Sequence, residues 1–121
     1  MPKARKLKMP DHLTLNHPKP EQGDDYSLED LSRCRERIDD VDLRLLALLN
    51  ERTVIVEEIG RIKQHLKLAI YEPKREDQVY ENVLVHNHGP LPHDAVKRMF
   101  ERIIDEMRTV QKLKMMERSS D

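Results

Sequence analysis

Residues 31–66, LSRCRERIDDVDLRLLALLNERTVIVEEIGRIKQHL, decide the fold. Within them Leu31, Cys34, Ile38, Val41, Leu45, Leu48, Arg52, Ile55, Ile59, Ile62 and Leu66 recur at alternating steps of three and four. That spacing puts all of them on one face of a long helix, a face that has to be covered by something. All but Arg52 are apolar. A guanidinium in the middle of a covered seam is costly unless an anion meets it, so Arg52 marks the place where packing gives way to binding. A salt bridge to Glu36, Asp39 or Glu76 is the simpler way to satisfy it.

The limits of this helix can be read on either side of the seam. Ser27 offers a capping hydroxyl, and Glu29 and Asp30 follow at the positive end of the helix dipole. From Leu28 to Leu66 there is no proline, and Gly60 is the single glycine. At 1.5 Å per residue the helix is roughly 58 Å long, more than the rest of the chain can cover. The seam is therefore expected to meet the same helix of a second copy, giving an intertwined homodimer.

Composition agrees with an all-α fold. Of 121 residues 37% are charged and only 3% aromatic, the balance of long solvated helices rather than of sandwiches or barrels. A chain of this size buries only a modest core by itself, which again favours partnership. The 22 basic and 23 acidic side chains nearly cancel, which argues against a dedicated nucleic-acid binder. Cys34 is the one cysteine, so no internal disulfide is possible; it reads as seam filler in a protein of the reducing cytoplasm. No apolar run approaches the ~20 residues of a membrane span.

Residues 1–25 carry four prolines and several cations without an apolar period, and read as a disordered basic leader. After a loop over 68–73, Pro73 opens a short second helix with Val79, Tyr80, Val83 and Leu84 at helical spacing. His86, Asn87, His88, Gly89 and Pro90 end it. The histidines at 86, 88 and 93 make only a weak metal motif, and no metal is expected. A third helix of intermediate length starts near 92–94 and runs to about Met116 with Val96, Met99, Phe100, Ile103, Ile104, Met107, Val110 and Leu113 inward; 117–121 is expected to fray. Gln111 shares that inward face, so its amide needs partners. The helical domain is thus expected over 26–116.

Arg52 and Lys63 are eleven residues apart, hence about 20° apart around the helix and ~16 Å along it, and line one trough. Gln111 can close that trough from the third helix. Arg35 lies about 100° away from Arg52 around the helix and is better placed to serve a partner's trough in an antiparallel dimer. Arg37 and Arg44 read as solvated surface charges. Cations and an amide, without a nucleophile and base, a metal cluster or a phosphate loop, leave electrostatic positioning as the available chemistry. That favours a unimolecular rearrangement or a binding role over hydrolysis or group transfer.

The run Arg35-x-x-Ile38-x-x-x-Asp42-x-x-Leu45-Leu46-x-Leu48-Leu49-x-x-Arg52 resembles the first helix of the all-helical chorismate mutases. Glu58-Ile59-Gly60-x-x-Lys63, Pro73-x-Arg75-Glu76 and Gln111 continue the resemblance, which covers Leu28 to about Leu113. What it implies is an intertwined three-helix dimer that converts chorismate to prephenate, the branch step toward phenylalanine and tyrosine, without a cofactor. By that resemblance Arg52 and Arg75 of one subunit and Arg35 of the other hold the two substrate carboxylates. Lys63 and Gln111 donate to the ether oxygen, Glu76 accepts from the ring hydroxyl, and Glu72 orders the loop. Two positions depart from the family pattern. Met107 stands where some members carry a small hydroxylic residue that contacts substrate, and Glu72 where an aspartate is familiar. Gln111 implies a mild pH dependence, because a neutral amide donates without being protonated. The alternatives are an isochorismate-pyruvate lyase on the same fold and a non-catalytic helical dimerisation module. The chain has no room for a fused dehydratase or dehydrogenase, so a monofunctional enzyme is expected.

Overall fold

The structure, a computed structural model, describes residues 25–120. The leader expected over 1–25 lies, apart from Asp25, outside the described residues. The fold is all-α with three helices: α1 (Leu28–Leu66), α2 (Pro73–Val85) and α3 (His93–Ser120). The chain divides into two compact units, Met1–Leu43 and Arg44–Asp121.

In the first unit the described residues are the start of α1. Ser27 caps it from both directions: its Oγ accepts from the Asp30 amide at 3.2 Å, and its own amide donates to Asp30 Oδ2 at 2.8 Å. This reciprocal pair satisfies two of the amides that a helix start leaves open. Arg33 pairs with Asp30 and lies 3.9 Å from Glu29. Leu31, Ile38 and Val41 are exposed in the single chain, as is Cys34.

In the second unit, α1 from Arg44 onward packs against α3. Its buried face is not the apolar seam. Val56, Gly60 and Lys63 are buried and Leu49 and Thr53 half-buried, spaced by four, three, four and three residues. Leu45, Leu48, Ile55, Ile59, Ile62 and Leu66 remain exposed. The sequence hides this second face because a threonine, a glycine and a lysine break its apolar pattern. On α3 the matching buried residues are Val96, Ile104, Met107 and Gln111, while Met99 and Leu113, expected inward, are exposed. Among the described residues no side chain is wholly buried, so a single copy has a thin core.

α1 closes with an i→i−5 bond from the Leu68 amide to the Lys63 carbonyl at 2.8 Å and a bond from Lys67 to Gln64 at 3.2 Å. Lys67 takes a left-handed φ of 60°, the position that usually belongs to glycine. The chain then turns through Ile70 and Glu72 into α2, with Pro73 in its first turn. A proline fits there because its missing amide would have no helical partner. α3 runs past Met116, where a frayed tail is expected from the sequence. Arg118 Nε donates to Gln64 Oε1 at 2.6 Å and Gln64 Nε2 donates to Ser119 Oγ at 3.3 Å, so the last turn is tied to α1.

Candidate active site

α1, the loop before α2, the first turns of α2 and the middle of α3 line a cleft of about 320 Å³ within the second unit. Arg52, Lys63, Glu72, Arg75, Glu76, Met107 and Gln111, all picked out from the sequence, contribute to its wall. Ile55, Val56, Ile59, Ile70, Val79 and Ile104 supply apolar surface between them. Arg35 is exposed, belongs to the first unit and does not line the cleft.

Arg52 is half-buried and, among the described residues, makes no ion pair or hydrogen bond. Burial holds its guanidinium below the usual arginine range, and the positive charge of Arg75 lowers it further. Both effects disfavour the cation, and both would be relieved by an anion placed between the two arginines. The alternative of a salt bridge to Glu76 is not formed, and Glu76 pairs with Arg108 instead.

Lys63 is only 8% exposed. Its Nζ donates to the Ile70 carbonyl at 2.8 Å and lies 2.6 Å from Glu72 Oε1. Lys63 therefore fastens the loop to α1 through both a backbone and a side-chain acceptor. An ammonium has three protons, so one donor is left over for a third acceptor. Gln111, also 8% exposed, donates through Nε2 to the Val56 carbonyl at 3.2 Å, and the second amide proton is likewise left over. That contact fixes the amide of α3 against the backbone of α1. Met107 is buried with its Sδ 3.3 Å from Thr53 Oγ1, which also lies 2.8 Å from the Leu49 carbonyl.

At the start of α2, Arg75 Nη1 reaches Gln78 Oε1 at 3.5 Å, and Glu72 occupies the N-cap without a side-chain capping bond. Its carboxylate is engaged by Lys63, which explains why it does not cap.

Arg108 is the charged cleft residue that the sequence reading passed over. It pairs with Glu76, reaches Asp105 Oδ1 at 3.3 Å, and stacks 5.0 Å from the centre of the Tyr71 ring. Its bond to Glu76 and the neighbouring negative charges hold its guanidinium above the usual arginine value, against the pull of burial. The signal was present: Arg108 follows Ile104 by four and precedes Gln111 by three, so it shares their face. Among the described residues no three His, Cys, Asp or Glu side chains stand together as metal ligands. No helix of the described residues is long and apolar enough to cross a membrane.

Residues 34–112 match the family model of chorismate mutase type II. The chorismate mutase of Methanocaldococcus jannaschii is 29% identical over 87 residues, covering 70% of this chain and 87% of that protein. The bifunctional chorismate mutase/prephenate dehydratase of Aquifex aeolicus is 34% identical over 89 residues, 70% of this chain but 25% of the relative. The chain thus spans about a quarter of such bifunctional relatives. Among solved structures, form II of the chorismate mutase from Thermus thermophilus superimposes with a TM-score of 0.67 at 32% identity, covering 68% of this chain and 93% of that one. Sequence family, helical architecture and a cationic cleft held between three helices agree, and the chain belongs to the chorismate mutase type II family.

Proposed function

We propose that the chain converts chorismate to prephenate in this cleft, as part of an intertwined homodimer in which the partner's Arg35 completes each site. The observation that carries the reading is Arg52: a half-buried guanidinium without a protein anion, beside Arg75, on the wall shared with Lys63 and Gln111. Four cations face two carboxylates around the cleft, an excess of two positive charges that suits a dianion such as chorismate.

The reaction is an isomerisation: one ether C–O bond breaks and one C–C bond forms in a single cycle of electrons, and no proton or group leaves. The site therefore has to hold a compact conformer and meet charge as it develops. Arg52 and Arg75, with the partner's Arg35, bind the two carboxylates and fold the side chain over the ring. The leftover protons of Lys63 and Gln111 meet the ether oxygen, which gains negative charge as its bond to carbon lengthens. Each is fixed beforehand by a protein acceptor, so little reorganisation is needed at that moment. Glu76 accepts from the ring hydroxyl, and Glu72 keeps the loop closed onto Lys63.

The exposed apolar face of α1 supports the dimer. Outside the cleft, Leu45, Leu48 and Ile62 leave about half of their surface uncovered, and covering each contributes about 1 kcal/mol. The test is an assay of the purified protein for prephenate formed from chorismate, with isochorismate in a parallel arm for the lyase reaction. Arg52→Ala is expected to lower kcat/KM by about 10²–10³-fold. An unchanged rate of chorismate loss in that variant, or pyruvate release from isochorismate as the faster reaction, overturns the reading.

A further inference from the structure

The geometry points to Arg108 as a positioning residue that sets the Glu76 carboxylate for the substrate's ring hydroxyl and so tunes substrate affinity. The inference rests on the functional reading above and deepens it.

Arg108 and Lys63 act on the same short segment from opposite sides. Lys63, on α1, holds the Ile70 carbonyl and Glu72. Arg108, on α3, holds Glu76 Oε2 and lies against the ring of Tyr71. Residues 70–76 are thus fixed by one cation from each of the long helices, Lys63 buried and Arg108 half-buried. Tyr71 itself is exposed, so the guanidinium is what ties its ring to the wall of the cleft. Glu76 is left with Oε1 unclaimed by Arg108, one acceptor at one fixed place.

The charges around Glu76 show why the anchor matters. α1 contributes Arg52 and Lys63, the loop before α2 contributes Glu72, α2 contributes Arg75, and α3 contributes Arg108 with Asp105 behind it. A dianionic substrate brings two more carboxylates into this space. Without Arg108, Glu76 is free to swing toward Arg52 or Arg75 and take up the cations the substrate needs. Losing those cations weakens binding of the ground state and the transition state alike, so it appears in KM more than in kcat.

The experiment is a double-mutant cycle on the full chain, with kcat and KM for chorismate measured for the unaltered protein, Arg108→Met, Glu76→Gln and the pair. Arg108→Met is expected to raise KM about 10-fold with kcat changed less than about 3-fold, and to have less than about a 2-fold effect in the Glu76→Gln background. Arg108→Lys is expected to recover part of the affinity, and it keeps the cycle readable should the methionine variant fail to fold. Equal effects of Arg108 replacement with and without Glu76, or a loss confined to kcat, overturn the inference while leaving the mutase reading intact. No prephenate from the unaltered protein removes both.

Discussion

At the scale of single residues, Arg52 is the centre of the proposed site, a cation that the protein places beside Arg75 and does not satisfy. Burial and Arg75 both oppose its charge, so removing it relieves the free protein rather than harming it. Arg52→Ala is therefore expected to keep or slightly raise the melting temperature while losing activity. A variant that lost activity only by unfolding would contradict this. Asp30 shows the opposite case, a charge satisfied locally: the Ser27 amide, then its hydroxyl, with a smaller part from Arg33, hold its carboxyl below the ordinary value of 3.8. A carboxyl depressed in the folded state adds stability above its unfolded value and loses it as pH falls through the folded one. The protection of amides at residues 28–31 relative to an unstructured chain is expected to fall only as pH drops below that ordinary value, and an NMR titration of Asp30 with a midpoint above 3.8 would disprove the cap.

At the scale of elements, two residues sit in each other's natural places. Lys67 occupies the left-handed position that ends α1, and Gly60 lies in the interior of the same helix. Lys67→Gly removes backbone strain and is expected to stabilise the fold by about 1 kcal/mol. A Cβ at residue 60 would meet Gln111 Cγ at 3.6 Å and an Arg118 Nη atom at 3.7 Å, ordinary contacts that require no displacement. Gly60→Ala is thus expected to gain about 0.5–1 kcal/mol through helix propensity, read from chemical denaturation; a loss of that size would mean that α3 needs a closer approach. These elements also show what a sequence can disclose. The Ser27 cap, Pro73, and the break at Gly89-Pro90 are local chemistry and were legible. So was the common wall of Arg52 and Lys63, because helical geometry alone brings them together. The second buried face through Thr53, Gly60 and Lys63 was not, since its members are apolar only in context. The anchoring of residues 117–120 depends on Gln64, more than fifty residues away. Arg108 was missed for a different reason: it lay on a face already recognised, but a cation between Ile104 and Gln111 looks like a surface residue until Glu76 and Tyr71 are seen beside it.

At the scale of the molecule, the apolar seam and the cleft share Arg52, Ile55 and Ile59, and the proposed dimer gives the rest of the seam a use. Leu48, 62% exposed and outside the cleft, is the place to test the seam. Leu48→Glu is expected to shift sedimentation from dimer to monomer and to abolish activity with it; an active monomer would refute site sharing. The most direct measurement is complementation. Arg35→Ala and Arg52→Ala each spoil both sites of a homodimer, whereas a mixed dimer has one site carrying both changes and one carrying neither. Mixing the two inactive proteins in equal amounts under conditions of subunit exchange is expected to restore about one quarter of the unaltered mutase activity. Activity that stays at the level of the separate variants would contradict a cleft built by Arg52 of one subunit and Arg35 of the other.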